Sequence, residues 1–189
     1  MAGKLVIFSA PSGAGKTTIV KELLKRELSL EFSISATTRE RRPNEQFGKD
    51  YYFLSVEDFK NKIEKNEFVE WEEVYTDNFY GTLEEEIERI WLQGNHVIFD
   101  VDVDGGINLK KTFGDRALAV FVKPPSLEAL RERLTGRDTE TKESVERRMA
   151  KAPQELEKSK DFDYVLLNDN LERAIVHIEE KVRTFLTQS

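Results

Sequence analysis

Residues 10–17 read Ala-Pro-Ser-Gly-Ala-Gly-Lys-Thr and stand between an apolar run, 5–8, and a helical pattern carried by Ile19, Val20, Leu23 and Leu24. A glycine-rich loop that leaves a strand and opens a helix turns consecutive backbone N–H groups toward an anion, and the helix start adds its dipole. In that setting Lys16 reaches the outer phosphates of a nucleotide and the Thr17 hydroxyl suits Mg²⁺. Ala10 stands where this pattern often has glycine, a tolerated variant. The rest of the chain agrees with the loop. Apolar, β-rich runs fall at 5–8, 97–99 with Val101, 117–122 and 164–167, and helical patterns at 17–28, 83–92, 126–134 and 171–186. Continuously apolar strands alternating with helices predict an α/β fold with a parallel sheet covered on both faces.

Composition narrows the chemistry. The 189 residues suit one domain with small inserted lobes. With no cysteine and two histidines, disulfides, thiolate or His-rich metal sites and thiol nucleophiles are excluded. The net charge of -7 argues against a protein that coats nucleic acid or anionic membrane through its overall field. No apolar run approaches the ~20 residues of a membrane span, and no leader pattern precedes residue 5, so a cytoplasmic protein is expected. The cations are unevenly placed: eight of the thirteen arginines lie within 39–42 and 131–148.

A second acidic element should face the loop near Mg²⁺. Asp100 ends the run 96–100, and Asp102, two residues on, would share its side of an extended strand. A strand-ending Asp also serves commonly as a turn residue or helix cap.

Two stretches break the alternation. Residues 33–82 hold short alternating strands at 33–37, 51–54 and 68–74 around a helix near 56–63, which predicts a mixed α/β lobe. Residues 127–158 are charged and helical, a hairpin turning near Gly136, with Pro153 expected to kink or restart its second helix. Arginines spaced by three, Arg39 and Arg42, flanked by hydroxyls and followed by Tyr51, suit a second anion site, because the guanidinium fork matches phosphate oxygens. A solvated charged loop is the competing reading of those arginines.

Taken in order, the phosphate loop, Ser35 through Phe53, Glu70-Trp71, Tyr80-Gly81-Thr82, Asp100-Val101-Asp102, Pro124-Pro125-Ser126, Arg137-Asp138-Thr139-Glu140 and Asn168-Asp169 resemble the guanylate kinase pattern across nearly the whole chain. The resemblance implies phosphoryl transfer from ATP to GMP, and to dGMP, with Mg²⁺. It implies a nucleotide-binding core (1–32, 83–126 and 159–189), a GMP-binding lobe (33–82) and a helical lid (127–158). On this reading Ser12, Gly13, Ala14, Gly15, Lys16, Thr17, Thr18, Asn168 and Asp169 bind ATP. Arg39, Arg42, Tyr51 and Tyr80 hold the GMP phosphate, Ser35, Glu70 and Thr82 read guanine, and Asp102 lies near the nucleoside. Lys16, Arg42, Arg137 and Arg148 serve catalysis, with Arg133 a further lid candidate, and Thr17 and Asp100 attend the metal, Asp100 through water. No nucleic acid, membrane or obligate protein partner is implied. The alternative is a catalytically inactive module that binds phosphorylated partners; such modules have a degraded phosphate loop, whereas Lys16, Thr17, Asp100 and the lid arginines are all present here. Asp104 and Pro43-Asn44 depart from the family's usual residues.

Overall fold

The structure, a computed structural model, describes residues 3–136 and 141–188. The chain forms two compact units: Lys4–Leu30 with Ile98–Ser189, and Glu31–Val97 with the N-terminal residues. It passes between them within β2 (Leu30–Phe32) and β7 (His96–Asp100).

One sheet is five-stranded and parallel, of order β2-β7-β1-β8-β9, and its strands β1, β8 and β9 lie wholly in the larger unit. Its centre is β1 (Leu5–Ser9) beside β8 (Ala117–Lys123), in register Leu5 with Ala117; β9 (Tyr164–Leu167) follows, with Val120 opposite Tyr164. β1 is buried along its whole length and β8 in all but its last residue. Side chains two apart share a face. Accordingly Val6, Phe8, Val120 and Val122 join a core with α1 (Lys16–Leu23), α5 (Leu127–Thr135), α6 (Lys142–Glu157) and α7 (Leu171–Thr187). Ala119 and Phe121 face the other way, onto Val103 of α4 (Val103–Phe113) and Phe162.

Two helices of the larger unit differ from expectation, and a third, α4, was not foreseen. α1 stops at Leu23 rather than continuing to residue 28, and Ser29, with φ 49°, turns the chain toward β2. α6 runs through Pro153 without restarting; the proline is on an exposed face, where a carbonyl that loses its helical partner can bond to water. α5 and α6 share one core and Gly136 caps α5; the turn between the two helices lies outside the described residues.

The smaller unit carries a mixed sheet of order β4-β3-β6-β5: β3 (Ala36–Thr37) is parallel to β4 (Tyr52–Phe53) and antiparallel to β6 (Asn78–Leu83), which pairs antiparallel with β5 (Phe68–Tyr75). Phe59 of α2 (Val56–Glu64) is fully buried and stacks on Phe68 and Phe79 at centroid distances of 4.3 and 5.3 Å. α2 begins properly, with the Ser55 hydroxyl accepting from Asp58 N at 3.0 Å. α3 (Glu84–Leu92) buries a carboxylate. Glu86, 1% exposed, accepts from Ile34 N, Tyr52 OH and two nitrogens of Arg89.

Candidate active site

Gly13 and Gly15 adopt φ of 93° and 95°, the left-handed region where a side chain would be strained. These turns curl the loop around the start of α1, which has no side-chain cap and no acid in its first turn. Its N-terminal N–H groups and dipole are thus left for an anion. Loop residues Ala10–Thr18 line a cavity of about 330 Å³ together with Asp100, Val101, Asp102 and Glu155. Lys16 Nζ lies 2.7 Å from Asp100 Oδ1 and also donates to the Val101 carbonyl. Thr17 Oγ1 donates to Asp100 Oδ2 at 2.6 Å. A hydroxyl and a carboxylate placed together on one wall of a phosphate-sized cavity are hard oxygen donors. That set fits Mg²⁺, which keeps most of its waters and takes few protein ligands.

The loop is braced from behind. The Ala14 carbonyl accepts from Asn168 Nδ2 at 2.7 Å and from Arg133 at 3.2 Å; a second Arg133 nitrogen donates to the Asn168 carbonyl at 2.8 Å. Arg148, from α6, donates to the hydroxyl of Ser12. Thr18 is exposed on α1, and Asp169, also exposed, accepts from Arg173 at 3.0 Å. Arg137 lies outside the described residues.

Asp102 is not on the strand beside Asp100. β7 ends at Asp100, and Asp102 is the N-cap of α4, its Oδ1 accepting from Gly105 N at 2.7 Å. Asp104 is drawn into an ion pair with Lys158. Glu155 on α6 is a cavity-lining carboxylate that the sequence did not single out. Burial pushes its carboxyl up, against the pull of Lys151 at 3.4 Å.

Within the smaller unit, three anticipated side chains converge. Arg39 makes a two-pronged pair with Glu45 at 2.7 and 2.5 Å and lies over the Tyr51 ring, 4.9 Å from its centroid. Tyr51 in turn meets Tyr80 edge-on at 6.1 Å. Glu45, with Tyr80 beside it, raises the Arg39 pKa; Arg39 holds the Glu45 carboxyl down at about 2. Burial pushes the Tyr51 phenol up. Arg42 is exposed, and its backbone N–H donates to Glu45 Oε2 at 2.9 Å. Glu45 therefore organises this cluster; in sequence it stands three residues after Arg42, within the Ser35–Phe53 motif. Across β5 and β6, Thr82 faces Glu70 in register and its hydroxyl donates to Glu70 Oε1 at 2.7 Å. Ser35 is half-buried just before β3.

A glycine-turned loop leading into an uncapped helix, with Lys and Thr meeting a strand-end Asp on a parallel sheet, defines the class of P-loop nucleotide-binding proteins. Comparison with known proteins is more particular. The guanylate kinase family model matches residues 2–185. A guanylate kinase of Bacteroides thetaiotaomicron is 52% identical over 100% of this chain and 92% of its own length. One from Porphyromonas gingivalis is 50% identical over 98% of this chain and 99% of its own. The crystal structure of guanylate kinase from Anaplasma phagocytophilum superposes with a TM-score of 0.76 at 27% identity, covering 100% of this chain and 88% of that one. The chain belongs to the guanylate kinase family.

Proposed function

We propose that this protein transfers the γ-phosphoryl group of ATP to GMP, and to dGMP, in the cytoplasm, yielding the nucleoside diphosphate and ADP. It needs no nucleic-acid, membrane or protein partner; no helix among the described residues is long and apolar enough to cross a membrane. The observation that carries the choice of base is the Glu70–Thr82 pair. Guanine presents N1–H and N2–H₂ side by side, and a carboxylate fixed by a neighbouring hydroxyl can accept from both. Adenine offers no such donor pair.

Division of labour follows the sequence motifs. Segment 33–82 is the GMP lobe: Arg39, Arg42, Tyr51 and Tyr80 take the acceptor phosphate, and Ser35, Glu70 and Thr82 the base. Residues 12–18 with Asn168 and Asp169 take ATP, and 127–158 form the lid. Asp102 stays near the nucleoside as a helix cap whose second oxygen can face it. Thr17 and, through water, Asp100 would hold Mg²⁺, which would supply charge neutralisation at the phosphates.

The acceptor is a phosphate oxygen already ionised near neutral pH, so no general base is needed. The barrier lies in bringing two polyanions in line. Lys16, Arg42, Arg137 and Arg148 therefore act by positioning and by neutralising charge as it shifts between oxygens. A lid that closes only over bound nucleotide also excludes water, which would otherwise accept the phosphoryl group. Retention of the Lys16–Asp100–Thr17 set favours this reading over an inactive phospho-partner module.

The test is an ADP-release assay with GMP, dGMP, AMP, CMP and UMP as acceptors. Strong preference for the guanine nucleotides is expected, and equal rates with AMP would overturn the base assignment.

A further inference from the structure

We infer that Arg133 and Asn168 are positioning residues that act through the Ala14 carbonyl to aim the Gly15 N–H into the phosphate cavity. The inference rests on the ATP reading above. A trans peptide is planar, and its N–H points opposite to its C=O. The oxygen of the Ala14–Gly15 peptide is held from one side by two donors, Asn168 Nδ2 at 2.7 Å and Arg133 at 3.2 Å. Both lone pairs are thereby engaged, and the amide on the other end of the same plane is turned away from the donors. Ala14, Gly15 and their neighbours line the cavity.

Three details mark this as a built arrangement. Asn168 is 3% exposed, yet its Oδ1 is buried and accepts nothing. A buried acceptor without a donor is unfavourable, and reversing the amide would set two oxygens against each other, so the Ala14 contact dictates its orientation. A Cβ on Gly15 would lie 2.4 Å from Asn168 Nδ2, so the close approach requires glycine there as much as the φ does. Finally, one Arg133 guanidinium spans the Ala14 and Asn168 carbonyls, tying the last turn of α5 to the loop and to the segment after β9. The rigid guanidinium fork sets two separate nitrogens on the two carbonyls at a fixed spacing, where lysine would offer a single ammonium on a flexible stem.

Inorganic tripolyphosphate is the discriminating ligand, because it has the phosphates of ATP and no base. Its affinity and that of ATP are measured by calorimetry for the unaltered protein and for Asn168→Ala, Asn168→Asp, Arg133→Lys and Arg133→Gln. Misaiming one N–H that bonds to a charged oxygen should weaken both ligands by roughly tenfold in every variant. The Gly15 amide proton resonance of the tripolyphosphate complex should move upfield in each. Weakening confined to ATP would mean that these residues touch the base, and weakening in Arg133→Gln but not Arg133→Lys would mean charge alone. Either result overturns the inference, as does a lowered melting temperature with unchanged tripolyphosphate affinity and an unmoved Gly15 resonance. Failure of the unaltered protein to bind either ligand would instead remove the ATP reading itself.

Discussion

Replacing Glu86 with glutamine should cost the smaller unit about 3 kcal/mol. The carboxylate is 1% exposed and accepts four hydrogen bonds: Ile34 N at 3.0 Å, Tyr52 OH at 2.9 Å, and Arg89 at 2.9 and 3.0 Å. Glutamine keeps the shape but has one acceptor oxygen, so its NH₂ must confront donors on one side or the other. Two charge-assisted bonds to Arg89 would alone be worth ~3–6 kcal/mol, and breaking a buried pair typically costs ~3–5. The low end applies, because Arg89 has 36% of its side chain exposed and keeps Glu31 at 2.7 Å. For a chain of this size that corresponds to a fall of roughly 6–12 °C in melting temperature. Both tryptophans, Trp71 and Trp91, belong to the smaller unit, so urea unfolding followed by their fluorescence reports on it specifically. The same carboxylate fixes Ile34 and Tyr52, the immediate neighbours of Ser35 and Tyr51. KM for GMP should therefore rise while KM for ATP does not. A loss below about 1 kcal/mol with an unchanged fluorescence transition would refute the idea that this buried network holds the lobe together.

Lys16→Ala should reduce turnover by at least the ~10²–10³-fold associated with removing one donor to a charged transition state, with cooperative unfolding preserved. Normal turnover in that variant would exclude the loop as the phosphoryl-donor site. The Glu45 carboxyl should titrate near 2 by carbon-detected NMR, well below its ordinary 4.5. Since the folded value lies below the unfolded one, the Arg39–Glu45 pair contributes fully above pH about 4.5, and its contribution is lost as pH falls through about 2. A midpoint near 4.5 would show that the pair does not persist in solution.

The elements visible in sequence were those marked by a continuous apolar run or a regular apolar stripe. β1, β8 and β9 are carried by apolar runs, and α7 by a regular amphipathic stripe. Helix α4 was hidden because Asp102-Val103-Asp104-Gly105-Gly106 has the composition of a turn. Its glycine is explained only by tertiary packing: a Cβ on Gly106 would lie 2.2 Å from Ser9 Oγ. β6 was masked by the helical pattern that begins at its last residue, Leu83, and β2 is three residues long and largely exposed to intermediate degree. At the candidate site, the loop, Asp100 and the Glu70–Thr82 pairing were legible because motif spacing encodes them. Glu155 and the contact of Arg133 with Ala14 were not, because nothing local separates a charged side chain that turns inward from one left in solvent.

The placement of the smaller unit within the chain has a consequence for biosynthesis. Leu5 of β1 pairs with Ala117 of β8, so the central ladder of the larger sheet cannot close until the whole of Glu31–Val97 has been synthesised. The smaller unit is almost contiguous in sequence, and its β5–β6 hairpin and α2 make short-range contacts that form quickly. On the ribosome it can therefore mature first, while β1 and the phosphate loop remain an unpaired apolar segment waiting for their partner. The nascent chain's exposure to aggregation should be greatest in that interval, and slowing translation between residues 98 and 123 should lower the soluble yield more than slowing it after β9 is complete.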